Sequence, residues 1–341
     1  MNERARVAAV GVLRSIGTSR GVLLTRSDCA ITSGHVTSDV LLRGRLLDEL
    51  TRRQLPSGGW ATRTTSKQVA LEPACLAALA LGSHSNGAYR VQDFLLRVQN
   101  PNGSWPAFVG DDPDGGWVTS LALIALRDYV PGIPARLRGF HWLLKFAGKE
   151  SNWLWKWKFR TTDRHVRFDP DKYGWPWFPD TVSWVVPTSF AILALNQVPC
   201  SCGDLGGRAP HRLRLGIEML MDRACPSGGW NAGNGVVYGT PLAPHVDDTA
   251  VALLALSERK EHLVAQSGVL WLERTVQGLR SPWSLAWVML ALAAHGRPIE
   301  FLLTRLRSLP EIVAIEDTST VAAVSLALGS HDTLSAFGVA T

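Results

Sequence analysis

The sequence predicts an all-α protein in which six inner and six outer helices alternate and close into an (α/α)6 toroid. Two observations support this prediction: one apolar hexapeptide recurs six times, and amphipathic segments lie between the copies. No segment of comparable length alternates with the period of two residues that a half-buried strand requires. Hydrophobic residues make up 46% of the 341 residues, which is enough to bury a large core.

The repeated hexapeptide is rich in alanine and ends in leucine in every copy. A segment that is apolar on every side is typical of a buried helix, and alanine lets neighbouring helices pack closely. We therefore assign the hexapeptides to the inner helices. The six copies occupy residues 76–81, 121–126, 190–195, 251–256, 287–292 and 323–328.

The amphipathic segments predict the outer helices. The clearest spans residues 89–99 and places Val91, Phe94, Leu95 and Val98 at helical spacing, with charges opposite. We expect residues 1–38 to be an extension outside the repeat, residues 39–330 to form the repeat domain, and residues 331–341 to be a tail. The outer segments begin near Asp39, Ala88, Arg136, Arg212, Leu263 and Ile299.

Composition argues against several classes of protein. The net charge of +6 is spread over the chain without a run of Lys or Arg, so no nucleic-acid partner is expected. An odd number of scattered cysteines suggests no disulfide framework and favours a cytoplasmic location. The sequence shows neither a signal-peptide core nor a spanning helix. The five cysteines are Cys29, Cys75, Cys200, Cys202 and Cys225.

A second motif closes several outer helices and combines a basic residue, an aromatic residue, Leu, Gln, Gly and Trp at fixed offsets. It resembles the hallmark of the squalene–hopene cyclase and prenyltransferase superfamily, and the resemblance covers roughly residues 39–330. The resemblance implies the helical toroid, with each Trp covering the exit to the next hairpin. The full copy comprises Arg90, Phe94, Leu95, Gln99, Gly103 and Trp105, and partial copies contain Trp60, Trp153, Trp230 and Trp283.

Residues 245–250, His-Val-Asp-Asp-Thr-Ala, are similar to the Asp-x-Asp-Asp-Thr-Ala motif of class II terpene cyclases. The resemblance implies that Asp247 is a proton donor, that Asp248 supports it, and that His245 replaces the first Asp. Protonating an alkene needs a strong acid, which a helix N-terminus and nearby hydrogen-bond donors help to provide. The alternative is that Asp247 or Asp248 merely caps a helix.

Aromatic residues near the starts of the inner helices are candidates for a cavity wall. A cyclase that forms carbocations surrounds them with aromatic faces, whose quadrupoles attract positive charge. All inner helices run in the same direction along the chain, so their N-termini would gather at one end. The alternative is that these rings only close the repeats. The candidate substrate-binding residues are Trp117, Trp184, Trp283, Trp287 and Tyr173.

No cofactor and no metal site are expected. The acidic loop at residues 110–116 could hold Mg²⁺, but its composition is also that of a turn. Zinc could bind Cys200 and Cys202 with His211, although reduced loop thiols explain these cysteines as well; a second zinc set would be Cys225 with His245 and Asp247. A basic aromatic patch at residues 156–160 could touch membrane headgroups and would make the protein membrane-peripheral.

Three functions remain open on the sequence alone. The first is acid-initiated cyclisation of a hydrophobic isoprenoid by a class II terpene cyclase-like enzyme. The second is a non-catalytic toroid that binds a peptide or protein partner, and the third is a zinc-dependent protein prenyltransferase-like subunit. A deep apolar cavity with Asp247 pointing inward would favour the enzyme, whereas a closed centre would favour the partner-binding toroid.

Overall fold

The computed structural model describes residues 26–82, 85–162, 168–198, 203–309 and 312–339, with the backbone alone for residues 26–37. The chain divides into two units, residues 1–39 and 40–341. Helix α1 (Arg26–Arg53) crosses this division, and the features described below lie in the second unit. The limits of the repeat domain at residues 39 and 330 stay predictions.

The all-α prediction is confirmed, because the described residues contain fourteen α-helices. Two antiparallel pairs of very short strands accompany them. Strand β1 (Trp60–Ala61) pairs with β2 (Val69–Ala70), and β3 (Val236–Val237) pairs with β4 (Thr240–Pro241). Strands of two residues are too short to give an alternating sequence pattern, so the sequence analysis did not detect them.

Six helices contain the hexapeptides, although two of these helices end one residue before the closing leucine. They bury nearly all their side chains because they are apolar on every side. They are α2 (Leu71–Leu81), α4 (Val118–Ala125), α7 (Val185–Leu195), α9 (Val246–Ala255), α11 (Pro282–Ala294) and α13 (Thr318–Leu328).

The contacts among these six inner helices form a closed series. Helix α2 packs on α4, α4 on α7, α7 on α9, α9 on α11, α11 on α13, and α13 again on α2. In this series α9 is the third neighbour of α2 in either direction. Helices α2 and α9 therefore lie on opposite sides of the series.

Each outer helix after α1 packs against the inner helix that precedes it in the chain. Helix α3 packs on α2, α5 on α4, α8 on α7, α10 on α9, and α12 on α11. Two further helices are α6 (Trp153–Thr161), in the insertion before α7, and α14 (Ser330–Ala336), which contacts α13. The outer helices are α1, α3 (Asn86–Arg97), α5 (Ile133–Lys145), α8 (Gly203–Asp222), α10 (Leu263–Thr275) and α12 (Glu300–Arg307).

Buried tryptophans tie the ends of the outer helices to the loops that follow. The indole Nε1 of Trp60 donates to the carbonyl oxygen of Leu50, and that of Trp105 donates to Leu95, both at 2.8 Å. Each carbonyl lies in the last turn of an outer helix, where a helix leaves its acceptors unpaired. The motif tryptophans are therefore helix-closing residues in these repeats.

The third closing tryptophan differs from the sequence prediction. Trp153 was assigned this position, but its side chain is 72% exposed on α6. Instead, Trp175 is buried, and its Nε1 donates to the carbonyl oxygen of Leu143 at 2.9 Å. The insertion that contains α6 separates α5 from its closing residue, so a fixed offset from Leu143 reached the wrong tryptophan.

Helix α6 is the most exposed helix of the insertion and buries none of its side chains completely. It exposes Trp153, Leu154 and Trp157, while Lys156 pairs with Asp171 at 3.1 Å. Among the described residues, no helix has both the length and the apolar character needed to cross a bilayer.

Candidate functional site

A cavity of about 260 Å³ lies at the N-terminal ends of the inner helices. The first two turns of α2, α4, α7, α9 and α11 contribute most of its wall. This is the end at which the sequence analysis expected the helix starts to gather. The lining residues are Glu72, Leu76, Trp117, Leu121, Trp177, Val186, Phe190, Asp247, Asp248, Val251, Trp283 and Trp287.

Asp247 and Asp248 both line this cavity from the first turn of α9. The residue that caps α9 is His245, and its side chain makes no capping hydrogen bond. Neither aspartate therefore occupies the N-cap position that the alternative interpretation assigned to one of them. The Oδ1 atom of Asp247 is buried and has no hydrogen-bond partner among the described residues.

An unpaired buried oxygen is costly, by about 1–3 kcal/mol, unless a ligand, a proton or water satisfies it. Asp247 therefore lines the cavity and also carries a buried carboxyl oxygen without a partner among the described residues. Its position at the start of α9 also puts it close to the positive end of the helix dipole, which attracts negative charge.

Asp248 is held by His245, whose Nδ1 lies 2.8 Å from Asp248 Oδ2. Burial raises the pKa of Asp248, and the neighbouring carboxyl group of Asp247 adds to this effect, whereas the hydrogen bond from His245 opposes it. A raised pKa keeps the carboxyl group of Asp248 protonated up to a higher pH than an exposed aspartate. Retaining a proton is the property that an acid catalyst requires.

His245 stands where the similar motif has its first Asp. It pairs with Asp248 and not with Asp247. Its ring is 62% exposed and lines a second pocket of about 450 Å³, together with Trp184, Arg223 and Asn234. His245 precedes the first turn of α9, so its side chain reaches the residue three positions later and remains outside the cavity.

Five aromatic side chains form a continuous wall around the cavity. The Trp117 ring lies 5.0 Å from Trp177 and 5.7 Å from Phe190, measured between ring centroids. Phe190 lies 5.6 Å from Trp287, which lies 5.5 Å from Trp283. The edge-to-face contacts in this chain fix the ring orientations and leave aromatic surface towards the cavity.

Trp117, Trp283 and Trp287 were selected from the sequence, whereas Phe190 and Trp177 were missed. Phe190 had a detectable signal, because it occupies the first position of its hexapeptide, as Trp287 does in another copy. The first positions of five of the six copies line the cavity: Leu76, Leu121, Phe190, Val251 and Trp287. Trp177 lies in the loop before α7, outside the repeats, so no repeat position predicts that its side chain lines the cavity.

Tyr173 and Trp184 are corrections to the predicted cavity wall, because neither lines the cavity. Tyr173 lies beside α8, where its ring is 5.0 Å from the buried guanidinium of Arg212. Trp184 precedes α7, lies against Gly233, and lines the 450 Å³ pocket. Both residues belong to the segment that surrounds the closing residue Trp175.

Glu72 is a third carboxyl group in the cavity wall, and the sequence analysis did not choose it as a site residue. It lies at the start of α2, on the side opposite α9. Burial, with a smaller contribution from the charge of Asp317, raises its pKa to about 7. Within the described part of the chain, its carboxyl group has no hydrogen bond or ion pair.

Of the metal alternatives, the acidic loop and the set of Cys225, His245 and Asp247 lie in the described ranges. There, no group of three or more His, Cys, Asp and Glu side chains is placed to bind a metal ion. In the acidic loop, Asp112 accepts a hydrogen bond from the backbone of Gly115, as in a turn. Cys200 and Cys202 lie outside the described residues, so the zinc set that includes them stays a prediction.

Comparison with known proteins identifies the fold. No family model matches the sequence, and no curated protein matches it either. The structure is similar to that of a variant of the type II terpene cyclase MstE from Scytonema with merosterolic acid A bound, at a TM-score of 0.56 and 14% identity over 89% of this chain and 99% of that one.

Two similar structures come from other kinds of enzyme. An alpha-amylase from Clostridium perfringens gives a TM-score of 0.58 at 11% identity, covering 85% of this chain and 98% of the amylase. A glycosidase gives 0.58 at 12% identity, covering 89% and 99% of the two chains. Identities this low relate folds and not activities. The predicted resemblance is thereby confirmed for the fold, which this chain shares with a type II terpene cyclase.

Proposed function

We propose that the alternating helices form an (α/α)6 toroid whose central cavity cyclises a short isoprenoid by acid-initiated chemistry. One observation carries this proposal: Asp247, whose Oδ1 atom is buried and unpaired among the described residues, lines a cavity that has five aromatic rings in its wall. A type II terpene cyclase has a similar fold, so the fold is compatible with this assignment. A cavity of this kind also argues against a toroid whose centre is packed shut.

The chemistry requires the carboxylic acid of Asp247 to protonate a carbon–carbon double bond. The O–H bond of the acid breaks, a C–H bond forms at one alkene carbon, and a tertiary cation develops at the other. Aromatic faces stabilise such a cation by up to about 2 kcal/mol each when water is excluded. Asp248 and His245 would support the acid, while the apolar wall keeps water from trapping the cation.

The cavity volume restricts the size of the substrate. At about 260 Å³ it lies just below the range of roughly 300–1,000 Å³ that is usual for drug-sized ligands. The similar cyclase MstE binds geranylgeranyl dihydroxybenzoate in one of its structures. We expect a shorter isoprenoid for the present chain, such as a geranyl or farnesyl compound.

Incubation of the purified full-length protein with geranyl, farnesyl and geranylgeranyl alcohols and diphosphates, followed by mass spectrometry, tests this function. We expect a cyclic isomer from the shorter substrates and a loss of at least about a hundredfold in rate for Asp247→Asn. Asp204→Asn is the matched control, because Asp204 occupies the first turn of α8 and is exposed. If no substrate gives a cyclic product with the native protein, the proposed function is wrong.

Glycoside hydrolysis is the second candidate. An amylase and a glycosidase share the fold, and Glu72 faces Asp247 and Asp248 across the cavity. Most glycoside hydrolases use two carboxyl groups that flank the glycosidic bond to be cleaved. The aromatic and aliphatic wall favours an isoprenoid, and assays with starch and aryl glycosides decide between the two.

A cytoplasmic location with peripheral membrane contact belongs to the same proposal. The exposed rings of Trp153 and Trp157 on α6, next to the basic side chains of Lys156 and Lys158, support that contact. Aromatic and basic side chains together suit the interface of an anionic bilayer, from which a hydrophobic substrate could be drawn.

A further inference from the structure

We propose that Glu72 is the catalytic base that ends the reaction by removing the last proton from the cyclised cation. The inference rests on the proposed function and assigns a residue to a step that the cyclase motif on α9 does not cover. Every reaction that begins by protonating an alkene and yields a neutral hydrocarbon must also lose a proton.

The geometry places Glu72 where a terminating base is needed. Asp247 and Asp248 line the cavity from α9, and Glu72 lines it from α2, on the opposite side of the closed helix series. A polyene folded in this space has its protonated end near α9, so the charge migrates towards α2 as rings form. The first oxygen atoms on that side belong to Glu72, since the other residues that line the cavity from α2 and α4 are Leu76, Trp117 and Leu121.

The surroundings of Glu72 suit a group that must accept a proton. Its pKa of about 7 leaves a substantial fraction ionised at neutral pH and makes its carboxylate a stronger base than an exposed one. The titratable groups around it are Asp317 at the start of α13, Cys75 on α2, and Asp247 and Asp248 across the cavity. All four of these groups are acids.

The step is balanced without any co-reactant. A C–H bond next to the cationic carbon breaks, its electron pair becomes the new double bond, and the proton forms an O–H bond with Glu72. The substrate is isomerised, since it gained one proton from Asp247 and lost one to Glu72. Proton exchange of both groups with solvent then restores the starting state.

The variant Glu72→Gln removes the base that would take the last proton and leaves the acid on α9 that would give the first one. Because the first protonation depends on α9, we expect the variant to consume substrate. The amount of the native alkene should fall about a hundredfold relative to the other products. The cation would instead be captured by water as an alcohol or deprotonated elsewhere to give isomeric alkenes. Glu300→Gln is the matched control, because Glu300 lies in the first turn of α12 and is exposed.

A second variant tests the role through pH. The charge of Asp317 helps to raise the pKa of Glu72, so Asp317→Asn should lower that pKa. Formation of the native alkene rises with pH as Glu72 ionises, and its midpoint near pH 7 should move to lower pH in the variant. Asparagine still caps α13 in place of Asp317, which bonds the backbone of Thr320. A purely structural residue would not produce this shift.

The outcomes distinguish this inference from the proposed function. A native product spectrum from Glu72→Gln, with an unchanged pH midpoint in Asp317→Asn, would overturn the role of Glu72 and leave the cyclase intact. Altered products in the first variant together with a lowered midpoint in the second establish it. If the native protein cyclises nothing, both the function and the base assignment fail.

Discussion

His245 and Asp248 are joined by a hydrogen bond of 2.8 Å between Nδ1 and Oδ2, with the histidine 62% exposed and the aspartate only 15% exposed. The histidine lines the 450 Å³ pocket and the aspartate lines the 260 Å³ cavity. The two residues therefore connect an exposed pocket to the buried carboxyl groups. This pair gives Asp248 a hydrogen-bond partner at the position where the similar motif has its first aspartate.

We predict that His245→Ala raises the pKa of Asp248. The hydrogen bond from His245 lowers that pKa against the effect of burial, so its removal leaves burial and the charge of Asp247 unopposed. A titration of the carboxyl carbons followed by nuclear magnetic resonance measures the change. The variant Asp248→Asn, which lacks this carboxyl group, identifies the Asp248 signal. An unchanged or lower pKa of Asp248 would contradict the pairing.

Glu72 should destabilise the folded protein at alkaline pH. Its pKa of about 7 in the folded protein lies above the ordinary glutamate value of 4.5, so the folded state binds its proton more tightly than the unfolded state does. The free energy of unfolding therefore decreases as pH rises from 4.5 through 7. We expect Glu72→Gln to stabilise the protein by roughly 2–3 kcal/mol at pH 8 and hardly at all at pH 4.

Thermal unfolding of the native protein and of Glu72→Gln at pH 4 and pH 8 measures this difference. Glu300→Gln, at an exposed position, serves as the control and should change Tm little at either pH. Equal Tm values for the native protein and Glu72→Gln at pH 8 would show that Glu72 is better solvated than its place in the cavity wall suggests.

The aromatic wall should be sensitive to the loss of a single ring. Trp117→Leu removes the ring that contacts both Trp177 and Phe190, and we expect kcat to fall about tenfold, because one cation–π interaction contributes about 1–2 kcal/mol. Trp117→Phe retains an aromatic face and should keep most of the activity. Steady-state kinetics of the two variants check this, and equal rates would mean that the ring serves only to fill space.

The reassigned closing tryptophan gives a test of stability. Trp175→Phe loses the hydrogen bond to the carbonyl oxygen of Leu143 and leaves that buried acceptor unpaired, which costs about 1–3 kcal/mol. Trp153→Phe changes an exposed residue and should have an effect within about 0.5 kcal/mol. Denaturant unfolding of both variants provides the comparison, and the reverse order would restore Trp153 to the closing position.

Helix α6 should bind anionic vesicles through its exposed aromatic rings. We expect Trp153→Ser combined with Trp157→Ser to reduce co-sedimentation with vesicles of phosphatidylglycerol and phosphatidylcholine by about tenfold, because interfacial affinity increases with buried apolar area. Replacing the exposed Tyr238, which is distant in sequence, with Ser is the control. Equal binding of all three proteins would exclude α6 as the contact.

The repeat made much of this structure predictable, because each hexapeptide is apolar on all sides and becomes an inner helix. Fixed offsets failed where an insertion intervened, as for Trp153 and Trp175. The predicted placement of Tyr173 at the cavity failed for a different reason. Its ring covers the buried charge of Arg212, and such a tertiary contact leaves no periodic signal in the sequence.

Glu72 and Phe190 show what the sequence could have revealed. Phe190 shares its repeat position with Trp287, so aligning the hexapeptides by position would have identified it. The importance of Glu72 depends on the cavity that buries it, since a single acid at a helix start is otherwise a common and solvated feature. The burial of Glu72 and its position across the cavity from α9 arise only when the helices pack together, so the local sequence does not reveal them.

The first position of each hexapeptide and the later positions serve different purposes in this chain. Five of these side chains line the cavity, while the later positions of each copy pack against neighbouring helices. Exchanging Leu76, Leu121 or Val251 for a larger or smaller apolar residue would therefore alter which molecules fit while leaving the helix contacts in place. New substrates could arise by single substitutions in a protein whose folding is left almost untouched.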